Sequence, residues 1–107
     1  MDKKAVPEKG VVVYEKGCKL KEPLGLCARP AAIIIKKAIS LGVEAGDVFI
    51  KRLKIIEGMT SVADITNIIS LMMLAIPKDT ELVVFTYKAG YERIIDQLAK
   101  SIEEIEL

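Results

Sequence analysis

The apolar residues of this chain change their period between Gly10 and Leu41. Gly10–Tyr14 (GVVVY) is a β-branched run and predicts a strand, which Gly17 is expected to end. Cys18, Leu20 and Glu22 then alternate with Lys19 and Lys21, a period of two that suits a strand with one face buried. Pro23 and Gly25 close that strand in a loop. From Ala28 to about Leu41 the period lengthens. Ala31, Ile34, Ile35, Ala38 and Leu41 fall three and four residues apart, which places them on one helical face. Pro30 falls in the first turn, where its missing N–H removes no helical hydrogen bond. Gly42 is a natural stop.

The second half repeats the alternation of types. Asp47–Ile56 (DVFIKRLKII) predicts a strand, Glu57–Gly58 a turn and Met59–Ile65 the returning strand. Asn67 can cap a short helix over Ile68–Leu74, stopped by Pro77. Thr80–Tyr87 (TELVVFTY) is the strongest strand signal in the chain. Tyr91, Ile95, Leu98, Ile102 and Ile105 mark one face of a helix over about Gly90–Glu106. Strand, helix, hairpin, short helix, strand, helix suggests an α+β domain, an antiparallel sheet with its helices on one face. The opposite face is then expected to meet water, in keeping with the charges at Lys51, Arg52 and Lys54. Residues 1 to about 9 read as an arm punctuated by Pro7.

Composition narrows the function. The 107 residues suffice for one core, and 51% hydrophobic with 29% charged is ordinary for a globular chain. Sixteen basic residues against fifteen acidic ones leave no field that would gather nucleic acid. Aromatics are few and tryptophan is absent, so platforms for base stacking are not expected either. No apolar run approaches the ~18 residues that span a bilayer, and MDKKAVPEKG is unlike a secretory signal. A cytoplasmic protein is expected. Two cysteines without histidine make a poor zinc site and exclude Cys–His and Ser–His–Asp catalysis within the chain. Neither a metal nor a cofactor site is expected. An independent enzyme is not expected, because no acid–base pair accompanies either cysteine.

One stretch concentrates the remaining chemistry: Gly25–Ala32 (GLCARPAA). If a helix starts at Ala28, Cys27 is its N-cap. The first N–H groups of a helix lack internal acceptors, and the aligned peptide dipoles place partial positive charge there. A thiolate or a phosphoryl group at that end is stabilised, and Arg29 adds a guanidinium. Both features are expected to lower the Cys27 thiol pKa. The alternative is inert packing, because cysteine is commonly a small buried hydrophobe. That reading suits Cys18, within an alternating strand. A Cys18–Cys27 disulfide is not expected, since several extended residues separate the two.

The same stretch resembles the active-site signature of the HPr phosphocarriers of the bacterial sugar phosphotransferase system. That signature reads Gly-[Leu/Ile]-His-Ala-Arg-Pro-Ala. The resemblance extends from about Lys16 to the C-terminus. It implies an open-faced β-sandwich, a four-stranded antiparallel sheet with three helices on one face, over residues 16–107. An arm and extra strand would occupy residues 1–15. It implies that Cys27 stands where the family carries its phosphorylated histidine, with Arg29 as its catalytic neighbour. Ala28 and Arg29 would bind the phosphate. Partner docking would fall on Ala32, Ile33 and Lys36 of the first helix and Ile68, Ile69 and Met72 of the second. Ile33 lies off the buried face by helical geometry alone. Asn67 occupies the position of the regulatory serine of many Gram-positive relatives, and Ser70, one turn on, does not match it.

The resemblance implies the partners of that pathway: the phosphoenolpyruvate-dependent first enzyme and a sugar-specific component. Three functions remain open on the sequence. Cys27 is the phosphoryl acceptor; or the chain is a non-catalytic regulatory module that binds a regulator; or Cys27 is a thiol sensor. The extra N-terminal strand offers an edge for a homo-oligomer.

Overall fold

The structure is a computed structural model and describes residues 11–23, 25–54, 57–58, 60–74 and 76–105. Seven elements follow in chain order: β1 (Tyr14–Leu20), α1 (Ala28–Ser40), β2 (Val48–Arg52), β3 (Val62–Asp64), α2 (Ile68–Met73), β4 (Thr80–Thr86) and α3 (Glu92–Glu103). The strands form one antiparallel sheet in the order β1-β4-β2-β3. Three helices cover one face of it, the α+β architecture expected from the pattern.

The register explains the core. Cys18 and Leu20 of β1, Val48 and Ile50 of β2, Ala63 of β3, and Leu82 and Val84 of β4 turn to the same side. There they meet Ala31, Ile34 and Ala38 of α1, Leu71 of α2, and Ile95, Leu98 and Ile102 of α3. Each of the larger aliphatic side chains contributes roughly 1.5–3 kcal/mol by leaving water. α3 is further tied to β1 by Tyr14 Oη, which donates to Asp96 Oδ1 at 2.8 Å. The Lys19 N–H of edge strand β1 donates to Glu103 Oε2 at 3.2 Å, so one of the strand's edge donors is already engaged.

Four expectations need correction. Gly10 lies outside the described residues, and of the rest of the strand expected over Gly10–Tyr14 only Tyr14 is in a strand, where it opens β1. Gly17 sits inside it opposite Val83, because a lone glycine weakens a strand without ending it. Among the described residues no separate strand precedes β1. β2 ends at Arg52 rather than continuing to Ile56; Ile55 and Ile56 lie outside the described residues, as do the arm and Met59. The sheet face away from the helices is not simply wetted. It carries Phe49, Val83 and Phe85, all buried, with Val12, Val62 and Tyr87 packed on them. The Phe49 and Phe85 rings stack at 5.6 Å, and Lys51 Nζ stands 5.1 Å from the Phe85 centroid. Finally, Arg52 points to the helix side, in phase with Val48 and Ile50, and is buried.

At the end of the sheet where β4 leads towards α3, Asp47 is a buried junction. Its carboxylate accepts from Lys88 Nζ at 2.6 Å, Tyr91 Oη at 2.8 Å and the Glu44 N–H at 3.0 Å. Burial pushes this carboxyl up, but those three donors outweigh it and hold it below its usual range. A depressed folded-state value stabilises the protein above the unfolded pKa and is lost as pH falls through the folded one. Acid titration of Asp47→Asn beside the unaltered chain should therefore show a smaller loss of stability below about pH 4 in the variant.

Candidate functional site

The site is built by the crossing from β1 to α1. The Leu20 carbonyl, at the end of β1, accepts from the Asp79 N–H at 2.7 Å, and the Gly25 N–H donates to the Glu22 carbonyl at 2.9 Å. Leu26 is buried, and its N–H donates to the Ile76 carbonyl at 2.8 Å, pinning the loop to the segment that follows α2. Gly25 makes this approach possible. Its φ is +78°, and a Cβ there would lie 2.4 Å from the Ile76 oxygen.

Two residues beyond Gly25, Cys27 takes an extended conformation (φ −111°, ψ −166°) and is the N-cap of α1. Its carbonyl accepts the Ala31 N–H at 3.0 Å, the first helical hydrogen bond. Its side chain makes no capping bond. The N–H groups of Ala28 and Arg29 therefore lie in the first turn, where the helix has no acceptors for them, and Pro30 has no N–H to satisfy. Cys27 is half-buried; Ala28 and Arg29 are exposed. A sulfur within reach of solvent thus meets the positive end of a thirteen-residue helix, with a guanidinium two residues on. Among the described residues, no group of three or more His, Cys, Asp or Glu could hold a metal.

Both cysteines are free thiols in different surroundings. Cys18 is in the core, where burial, reinforced by the Glu103 charge, pushes its thiol up to about 12. Iodoacetamide at pH 8 should therefore modify Cys27 in the native chain and reach Cys18 only after unfolding, as mass-mapped peptides would show.

Around the cysteine, α1 and α2 show which positions are free. Ala31, Ile34 and Ala38 are buried, while Ala32, Ile33 and Lys36 face outward. A shallow groove of about 290 Å³ runs between Arg29, Ala32, Ile33 and Lys36. On α2, Leu71 enters the core, whereas Ile68, Ile69 and Met72 are exposed, Ile69 by 67%. The apolar run ISLMML is therefore not wholly core. Asn67 caps α2: its Oδ1 accepts the Ser70 N–H at 3.0 Å. Sequence reasoning missed exposed Met73 on this helix and the Ile76 carbonyl that holds the loop; Glu22 is buried, as its alternation with Lys19 and Lys21 predicted.

The family model for the PTS HPr component phosphorylation site matches residues 14–104. The chain belongs to the PTS HPr family. HPr proteins are phosphocarriers of the phosphotransferase system, and solved HPr structures share this fold. The HPr of Bacillus anthracis str. Ames is 26% identical, with a TM-score of 0.63 over 81% of this chain and 93% of that one. HPr-C-His from Thermoanaerobacter tengcongensis is 18% identical, with a TM-score of 0.64 over 89% and 100%. The histidine-containing phosphocarrier protein of Mycoplasma is 20% identical, with a TM-score of 0.59 over 85% and 89%. A search of curated proteins finds no significant match. No helix among the described residues of this HPr-family chain is long and apolar enough to cross a membrane.

Proposed function

We propose that this HPr-family chain carries a phosphoryl group on Cys27. The observation that carries this reading is the position of the sulfur: half-exposed, uncommitted to capping, and at a helix start whose first two N–H groups lack helical acceptors. The Cys27 thiolate attacks the phosphorus of a phosphorylated donor. An S–P bond forms, the bond from phosphorus to the donor's leaving atom breaks, and the thiol proton passes to solvent. The N–H groups of Ala28 and Arg29 and the Arg29 guanidinium hold the phosphoryl oxygens through the transfer. The reverse attack by an acceptor protein returns the thiolate.

The family resemblance supplies the partners: the phosphoenolpyruvate-dependent first enzyme as donor and a sugar-specific component as acceptor, in the cytoplasm. Ala32, Ile33, Lys36, Ile68, Ile69 and Met72 form the docking surface, since all six are exposed and four are apolar beyond alanine. Asn67 carries no regulatory phosphate, because its side chain is an amide engaged in capping.

Incubation with labelled phosphoenolpyruvate and the first enzyme should place an acid-stable, iodine-labile label on the chain. Arg29→Ala should slow that labelling by roughly 10²–10³-fold, the usual effect of removing one preorganised donor. An unlabelled chain, under conditions that label an ordinary HPr, would end the proposal.

A further inference from the structure

β1 is an outer strand of the sheet, and its main-chain groups show what its open side can take. Glu81 of β4 lies opposite Lys19, and the Glu81 carbonyl accepts from the Leu53 N–H at 3.2 Å, on the side of β2. The Lys19 main chain therefore points away from β4, in keeping with its N–H bond to Glu103 Oε2. Antiparallel pairs alternate between bonded and unbonded positions, so Gly17 and Glu15 point the same way as Lys19. Among the described residues no strand lies on that side. Lysines commonly guard such an edge, and Lys16 and Lys19 flank this one. Gly17 between them is exposed and has no side chain to cover the main chain. On the sheet face away from the helices, where Val83 also lies, this leaves a hollow of about 350 Å³ lined by Gly17, Lys19, Leu53, Glu81, Val83 and Glu103.

The open side is acidic. Glu92, Asp96 and Glu103 share one exposed flank of α3, the helix that packs under β1. Asp96 accepts from Tyr14 Oη and Glu103 from the Lys19 N–H, so that flank runs along the edge. Exposed Glu15 and Glu81 add carboxylates on the sheet itself. We propose that the edge of β1 takes a short, extended, basic segment of another protein as an added antiparallel strand. The segment exchanges main-chain hydrogen bonds with Gly17 and reaches the outward groups of Glu15. Its residue directly opposite Gly17 turns to the same face. An arginine there lays its aliphatic stem across Gly17 and Val83 and brings its guanidinium to Glu81 and Glu103. A second copy of this chain fits badly. An antiparallel β1–β1 pair centred on Gly17 would set Glu92 and Asp96 of one copy towards Glu103 of the other. α2 packs by β3, at the opposite edge of the sheet, so the segment leaves the exposed face of α2 open.

The probe is a capped synthetic peptide of alternating threonine and valine, with one central arginine and a lysine near each end. It is titrated into the full, nitrogen-labelled chain. The Glu15 and Gly17 amide resonances should move to saturation, and the Ile69 amide of α2 should not. Exchanging the central arginine for glutamate, or methylating the peptide's main-chain nitrogens, should abolish binding. Gly17→Val fills the hollow and should fold, since a Cβ there meets nothing closer than the Leu82 oxygen at 3.8 Å. It should bind roughly tenfold more weakly, the scale of loss when one anchoring side chain is evicted. Should Gly17→Val not fold, Glu103→Gln on the exposed flank of α3 takes its place with the same expectation. Unmoved Glu15 and Gly17 amides would overturn the proposal, whether a second copy or the chain's own first residues already cover the edge. Equal binding of the glutamate or methylated peptide, or undiminished binding by the variant, would overturn it too.

Discussion

Gly25→Ala is expected to be the most damaging methyl addition among the described glycines. The residue sits at φ +78°, a conformation that costs an L-residue about 1–2 kcal/mol. The added Cβ would also lie 2.4 Å from the Ile76 oxygen and 3.1 Å from the Pro77 Cα, both main-chain atoms that cannot swing aside. Relief requires the two segments to part. Parting breaks the bond from the Leu26 N–H to the Ile76 carbonyl and lifts buried Leu26 out of the core. The combined loss should be on the order of 3 kcal/mol, or roughly 10–20 °C in Tm for a domain of this size. The same displacement moves Cys27, two residues on. Phosphoryl acceptance should therefore fall even at temperatures where the variant is folded. Calorimetry beside a labelling rate would check both halves. By contrast Gly42→Ala, where no atom lies within 4 Å of an added Cβ, should cost only the left-handed conformation.

Cys27→His should change the chemistry of the carried group without removing it. The residue caps α1 with its backbone and makes no side-chain hydrogen bond, so the helix start does not depend on sulfur. Half-burial leaves room for a ring directed outward. A phosphoryl group on imidazole nitrogen is held by an N–P bond that acid hydrolyses, whereas the S–P bond survives acid and yields to iodine. The variant should accept label from phosphoenolpyruvate and the first enzyme, and that label should disappear on acidification. Retention of an acid-stable label in Cys27→His would place the acceptor elsewhere in the chain.

The legible parts of the fold were those written in local periodicity. The α1 face of Ala31, Ile34 and Ala38, the short helix after Asn67 and the β4 run each appear where their spacing predicted. The N-cap position of Cys27 was equally legible, since a Pro-containing first turn fixes where a helix begins. Contacts between distant segments were not legible. The approach of Gly25 to Ile76 joins residues about fifty apart, and nothing local marks it. The junction of Asp47 with Lys88 and Tyr91 is hidden for the same reason.

Arg52 was misread because charge suggested water where strand phase demanded the interior. Val48, Ile50 and Arg52 share one face, and a period of two overrides side-chain polarity. The aromatic cluster on the other face had a signal that went unused. Phe49 and Lys51 alternate with that buried set, and Val83, Phe85 and Tyr87 alternate along β4. Two apolar faces on one central strand make a continuous run, which is why TELVVFTY showed strand without showing sides.

The most direct test locates the phosphoryl group on the chain. After reaction with phosphoenolpyruvate and the first enzyme, intact mass should show one added phosphoryl unit, and fragmentation should place it on Cys27 within GLCARPAA; Cys27→Ala should remain at its starting mass. A phosphoryl unit on any other residue, or an equal gain by Cys27→Ala, would contradict the account.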